Sequence, residues 1–81
     1  MKPKYYRRLR DINGVISDIV YRVTKNKVEY ICLVDNGGRK LDERFWMVSV
    51  EYYNEMQLRH DDLVKSISEQ ELVLLLWKVQ K

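Results

Sequence analysis

Hydrophobic and polar residues alternate along the first third of the chain, as is typical of β-strands. Residues 4–11 alternate loosely, and residues 15–24 are dense in Val, Ile, Tyr and Thr. Asn13-Gly14 lies between them, and this dipeptide predicts a tight hairpin because both residues tolerate positive φ. Several apolar positions between residues 5 and 23 are also spaced as on a helix. Gly14 and the β-branched content favour two strands.

Two more strands are predicted beyond this hairpin. Lys25-Asn26-Lys27 has the composition of a polar turn, and residues 28–35 follow as the third strand. Asn36-Gly37-Gly38 predicts another tight turn. Residues 39–52 then form the fourth strand, which is apolar on both faces in its second half, as in a central strand or a small barrel.

The last dozen residues carry the pattern of a helix. Ser68 and Glu71 have the spacing of a capping box, and Ile67 and Leu72 that of a hydrophobic staple. These signals predict a helix over residues 69–80.

The combined pattern predicts an α+β fold in a single domain, residues 1–81. Its sheet is a small antiparallel β-meander or an SH3-like, partly closed barrel of four to five strands, followed by a C-terminal α-helix. Residues 53–58 either continue the fourth strand or form a short helical turn, and residues 63–67 form a short strand or a turn.

The predicted helix is apolar over more of its surface than one packing contact requires. A stripe of Leu and Val at positions 72, 75, 76 and 79 is sufficient to cover a sheet. Val73, Leu74 and Trp77 extend the apolar surface around the helix. We therefore expect these three residues to form an oligomer interface, as in a homodimer, or to enter a groove on a partner protein.

Charge is unevenly distributed along this chain of net charge +3. Residues 1–10 carry five cations and no acid, residues 11–40 have a net charge of +1, and residues 41–81 have a net charge of −3. The basic N-terminal segment could bind nucleic acid phosphates, or it could be the solvated first strand that protects a sheet edge. The candidate contact residues in this segment are Lys2, Lys4, Tyr6, Arg7, Arg8 and Arg10.

Strand alternation divides this segment between two faces. Tyr5 and Leu9, with the aliphatic stem of Arg7, are predicted to face the core. The predicted outer face, and the candidate contact surface, consists of Lys4, Tyr6, Arg8 and Arg10.

An aromatic cluster occurs in the second half of the chain. Phe45, Trp46, Tyr52 and Tyr53 would form a stacking platform if they were exposed, but in so short a chain such residues usually belong to the core. Because alternate residues point to opposite sides, we expect Tyr53 to remain on the surface and to contact a partner.

The sequence contains no motif for catalysis or metal binding. Cys32 and His60, the single cysteine and the single histidine, are the only candidates for a nucleophile and its base. Cys32 lies in an apolar run that predicts an inert thiol. His60-Asp61-Asp62 lacks the spacing of a metal site. We expect no enzyme activity, no cofactor and no metal.

Composition also bears on location and origin. The single cysteine suggests a reducing compartment, and the longest apolar run, residues 72–77, is too short to span a membrane. The absence of alanine and the abundance of Lys, Ile, Asn and Tyr suggest an AT-rich genome, such as a low-GC bacterium or its phage. We expect a cytoplasmic protein of a bacterial host cell, without membrane contact.

Two functional hypotheses follow. The preferred one is a non-enzymatic, phage-type accessory module that docks on a larger, nucleic-acid-handling protein and inhibits or recruits it. The alternative is a nucleic-acid-binding protein that uses the basic and tyrosine-containing N-terminal segment.

Overall fold

Five β-strands and two helices occur in residues 2–25, 27–33 and 46–80, which are the residues that the computed structural model describes. The strands form one antiparallel sheet in the order β4-β3-β2-β1-β5, and the sheet is not closed. This arrangement confirms the predicted α+β class, in its open form with a C-terminal helix. The elements are β1 (Lys4–Ile12), β2 (Val15–Thr24), β3 (Lys27–Cys32), β4 (Met47–Val48), α1 (Glu55–Arg59), β5 (Val64–Ile67) and α2 (Glu69–Gln80).

The β1–β2 hairpin turns at Asn13 and Gly14, as predicted. Their φ angles are 54° and 83°, so both residues occupy the left-handed region that this two-residue turn requires. Ile12 pairs with Val15, and the pairing continues along the whole of β1. The backbone N–H of Gly14 also donates to Asp11 Oδ1 at 3.1 Å, which fixes the turn from one side.

The predicted fourth strand, residues 39–52, is wrong in its extent. Residues 34–45 lie outside the described part of the chain, and with them the Asn36-Gly37-Gly38 turn and Phe45. Within the described part, the strand comprises Met47 and Val48, which pair with β3. The chain then leaves the sheet, and the side chain of Ser49 accepts a hydrogen bond from the backbone N–H of Tyr52 at 3.1 Å. Apolar alternation alone could not predict this bend.

The segment after β4 forms the short helix α1 and then β5. Asn54 caps α1, because its side-chain oxygen accepts from the backbone N–H of Gln57 at 3.0 Å. Leu58, on the inner side of α1, is fully buried. β5 returns antiparallel to β1 and forms the edge of the sheet opposite β4.

Both faces of the sheet are covered. We call the side under α1 the α1 face and the side under α2 the α2 face. The α1 face has a core of Tyr6, Tyr21, Val28, Tyr52 and Leu58. The α2 face has a core of Val20, Ile31, Leu33, Leu72 and Leu76.

Helix α2 spans Glu69–Gln80, the range that the capping pattern indicates. The hydroxyl of Ser68 accepts from the backbone N–H of Glu71 at 3.1 Å, which provides the N-terminal cap. Leu72 and Leu76, one turn apart, are buried against the sheet. No helix in the described ranges is long and apolar enough to cross a membrane.

Candidate interaction surfaces

Tyr6 and Arg8, two of the predicted contact residues, are buried. Each side chain lies on the α1 face, and each residue retains only 6% of its accessible surface. The prediction that these residues belong to an outer face is therefore wrong. Alternation correctly separates Tyr6 and Arg8 from Tyr5 and Arg7, but it does not show that α1 and the segment around Tyr52 cover the second face.

Arg8 is held within a polar and aromatic environment. Its Nη1 donates to Glu51 Oε2 at 2.8 Å and to the Tyr52 hydroxyl at 3.0 Å. The guanidinium carbon lies 5.8 Å from the ring centroid of Tyr21 and 5.7 Å from that of Tyr52, within the range of cation–π attraction. Burial disfavours the charge, but the hydrogen bonds that Arg8 donates to Glu51 and Tyr52 outweigh it and raise the pKa of Arg8. Arg8 therefore serves the fold and presents no charge to a ligand.

The Tyr52 hydroxyl links this buried cation to the loop after α1. It donates a short hydrogen bond to Asp61 Oδ2, and Asp61 Oδ1 accepts from the backbone N–H of Leu63 at 2.9 Å. These two bonds lower the pKa of Asp61, with the Tyr52 bond as the larger cause. The network fixes the position of the loop against β1.

A second polar cluster surrounds Glu55 at the margin of the α1 face. The Tyr6 hydroxyl donates to Glu55 at 2.6 Å, and Lys4 and Arg59 form ion pairs with the same carboxylate at 3.3 and 3.1 Å. The pKa of Glu55 is lowered, first by the Tyr6 hydrogen bond and then by the neighbouring cations. Lys4 nevertheless remains exposed.

Arg7, a third predicted contact residue, lies on the α2 face and forms an ion pair within the chain. It forms a bidentate pair with Asp18, with nitrogen–oxygen distances of 2.9 and 2.7 Å. The hydrogen bond to Asp18 is the first cause of the raised pKa of Arg7. Arg22 is held similarly, by Glu29 at 3.0 Å and by the ring of Trp46 at 4.4 Å.

The exposed cations of the N-terminal segment are Lys2, Lys4 and Arg10. Lys2 and Lys4 line a cleft with Lys25, which directly follows β2, and with Lys27, the first residue of β3. The cleft has a volume of about 350 Å³ and also contains Tyr53, whose side chain is exposed as expected. We call this site the lysine cleft.

Lys25 and Lys27 were not among the residues predicted to bind a partner, although the sequence held a signal for them. A turn after β2 must return to the end of the sheet where β1 begins, because β1 and β2 are antiparallel. The two Lys-x-Lys stretches therefore meet at one end of the sheet.

The predicted interface residues of α2 lie on its outer side. Val73, Leu74 and Trp77 are 59%, 57% and 57% exposed, whereas Leu72 and Leu76 are buried on the opposite side. We call these three residues the outer α2 surface. Their exposure agrees with the expectation that the helix is apolar on two sides.

The residues considered for catalysis lie apart in the fold. Cys32 is half-buried at the end of β3, and burial is the first cause of the raised pKa of its thiol, so the thiol is protonated at neutral pH. His60 follows the last residue of α1 and is exposed. Among the residues that the structure describes, no three His, Cys, Asp or Glu side chains are grouped so as to hold a metal ion.

Comparison with known proteins gives no match: no protein-family model fits the chain, and no curated protein or solved structure is significantly similar to it.

Proposed function

We propose that this protein is a non-enzymatic binding module that docks on a larger protein through the outer α2 surface. The observation that carries the proposal is the exposure of Val73, Leu74 and Trp77 side by side on one helix. Isolated exposed apolar residues are common, but adjacent large ones mark interaction sites. An amphipathic helix face of this kind is a standard anchor for an apolar groove.

The composition of this surface suits a protein partner. Tryptophan is enriched among the residues that dominate binding energy, and aliphatic neighbours exclude water around it. Glu69 and Glu71 are exposed in the first turn of the same helix. We therefore expect the partner to present an apolar groove with a basic rim at one end.

A larger partner fits this surface better than a second copy of the chain. Three side chains on one 12-residue helix provide only part of the ~800 Å² that each partner contributes to a standard stable interface. A groove wraps around a helix and also contacts its flanks, whereas two narrow helix faces touch along one line. The function of such docking would be to block or recruit the partner, with no chemistry by this chain.

The placement of the basic segment also supports a protein-binding role over the alternative nucleic-acid arm. Arg7 and Arg8 have intramolecular partners, and Tyr6 is in the core. These residues cannot form a continuous phosphate-binding strip while the sheet is intact.

The test combines the oligomeric state with site-specific crosslinking. A photoreactive residue replaces Leu74 in the full chain, expressed in the source cell, and Met56 provides a matched control because it is also exposed and lies on α1. We expect one protein to crosslink from position 74 and not from position 56. In a separate pull-down, we expect the native chain to retain that protein and Leu74→Lys to lose it. Leu74→Lys should change the free energy of unfolding by no more than about 0.5 kcal/mol, because the side chain is exposed.

Two results would overturn the proposal. Light scattering could show a native dimer that Leu74→Lys dissociates, which would make the outer α2 surface a self-association interface. Crosslinking could also yield no product at position 74, or equal products at both positions, in which case the surface is not a docking site.

A further inference from the structure

The lysine cleft concentrates positive charge at one end of the sheet. Lys4 is paired with Glu55 at 3.3 Å, and Lys27 lies 3.9 Å from Glu29. Lys2 and Lys25 have no acidic partner among the residues that the structure describes. Glu55 also lines this cleft and offsets part of the positive charge, but the four ammonium groups outnumber it, so a bound anion would relieve their mutual repulsion.

An aromatic ring and an apolar floor lie within the same cleft. Tyr53 is 70% exposed, although a ring of this size is usually at least half-buried in a folded domain. Val23 and Val28 contribute apolar surface beneath the lysines. A ligand that combines anionic groups with a flat, weakly polar ring would match all three features.

We propose that the lysine cleft binds a single strand of nucleic acid, with its phosphates on the lysines and one base stacked on Tyr53. Lysine ammonium groups are point charges and lack the planar fork with which arginine recognises a guanine edge. The cleft therefore neutralises backbone phosphates without sequence readout. This role goes beyond protein docking, and it uses a surface other than α2.

The form of the cleft favours a strand over a free nucleotide. Pockets for small ligands enclose roughly 70–90% of the ligand surface. Here the four lysines and Tyr53 are all exposed, so the cleft is an open groove that a chain can cross. Stacking on Tyr53 also requires an unpaired base, which a duplex does not offer.

The test measures binding to fluorescein-labelled oligo(dT) and oligo(U) of about 15 nucleotides over a series of salt concentrations. Fluorescence anisotropy is the readout. If all four lysines contact phosphates, log K should fall with log salt at a slope of about −2.8, or ~50-fold between 50 and 200 mM. The variant Lys25→Gln/Lys27→Gln should reduce the slope to about −1.4 and weaken binding at 50 mM by roughly 10-fold or more. Tyr53→Ala should weaken binding about 5-fold or more at every salt concentration.

A charge-matched control separates the cleft from general electrostatics. Arg10→Gln/Lys65→Gln removes the same two charges, from exposed residues that do not line the cleft. This control should retain the native affinity and slope. Lys2→Gln/Lys25→Gln is a second cleft variant with the same expected loss, and circular dichroism checks that each variant is folded.

Three outcomes would overturn the inference. The native chain could fail to bind either oligonucleotide at 50 mM salt. The control could lose as much affinity as the cleft variants, which would show diffuse charge attraction. Finally, ATP could bind the protein with a micromolar Kd and displace the strand at concentrations near that Kd, which would make the cleft a free-nucleotide site.

Discussion

Arg7 and Arg8 are neighbours in the sequence, yet they lie on opposite faces of the sheet and in different environments. On the α1 face, Arg8 is buried between tyrosine rings and bonded to Glu51 and Tyr52. On the α2 face, Arg7 lies at the margin and pairs with Asp18, while the centre beneath the helix is aliphatic. The α1 face therefore places a cation among its core tyrosines. On the α2 face the buried charge is the carboxylate of Glu29, which pairs with Arg22.

This difference indicates a division of roles between the faces. Aliphatic burial supplies free energy without directional demands, so α2 docks through the buried Leu72 and Leu76 and the partly buried Leu75. The α1 layer is small, and tyrosine hydroxyls and the Arg8 guanidinium fix its orientation. Polar groups in a core are costly unless they are paired, so this layer depends on accurate geometry.

The largest expected effect comes from removing a core leucine on either face. Leu58→Ala on the α1 face and Leu76→Ala on the α2 face should each lower the free energy of unfolding by about 2–5 kcal/mol, because each leaves a cavity among buried side chains. Urea denaturation measures both. A loss below about 1 kcal/mol for Leu58→Ala alone would show that the α1 layer contributes little to the core.

Substitution of Arg8 tests whether its charge or its volume matters. Arg8→Ala should cost about 2–4 kcal/mol, because it leaves a cavity between Tyr21 and Tyr52. Arg8→Met should stay within about 1 kcal/mol of the native chain, since hydrophobic replacement of a buried charge is often neutral or better. Glu51 is mostly exposed and can be solvated, and Tyr52 keeps its bond to Asp61. If Arg8→Met is as damaging as Arg8→Ala, the charged network itself holds the α1 face together.

The two helix caps provide a matched pair of smaller effects. Ser68→Ala removes the cap of α2 and Asn54→Ala that of α1, each at an expected cost of about 1 kcal/mol in thermal or urea unfolding. Substitution by glycine at either position should cost only a few tenths of a kcal/mol. Unequal losses would show that one helix is held mainly by packing, so that its cap is redundant.

The smallest expected effect is an acid sensitivity of the α1 face. The pKa values of Asp61 and Glu55 are lowered in the folded protein, so their contribution is complete above the unfolded values of about 3.9 and 4.3. It is lost as the pH falls below these values towards the lower folded pKa values. The free energy of unfolding, measured from pH 7 to pH 3, should fall less steeply in Asp61→Asn than in the native chain. The difference should be less than about 1 kcal/mol, because Asp61 is only partly buried and solvent screens its charge. An Asp61→Asn profile identical to the native one would contradict the role of the Tyr52 bond.

Local signals in the sequence predicted local structure well. Asn13-Gly14 specified a turn with two positive φ angles, and Ser68 with Glu71 specified the start of α2. Tyr53 was expected on the surface and lies there. In contrast, the bend after Val48 was missed, because it depends on the burial of Tyr52 in the α1-face core as well as on the hydrogen bond between Ser49 and Tyr52.

The candidate surfaces were predictable to different degrees. The outer α2 surface was recognised from the sequence, because a helix that is apolar on two sides leaves one side exposed when the other packs on the sheet. Its residues are Val73, Leu74 and Trp77. The lysine cleft joins residues from two separate stretches of the chain. Predicting it required both the antiparallel pairing of β1 with β2 and the position at which β2 ends.

The sequence by itself determined the hairpin, the strand character of β1, β2 and β3 and the capped C-terminal helix, because these depend on contacts between residues a few positions apart. Tertiary structure decided which side of each strand is covered. Alternation places Arg7 and Arg8 on opposite faces of the sheet but does not say which face is buried. That depends on the packing of α1 over one face and α2 over the other. For this reason half of the basic segment became core or rim, and the exposed Lys2 and Lys4 lie beside lysines that are more than 20 positions away in the chain.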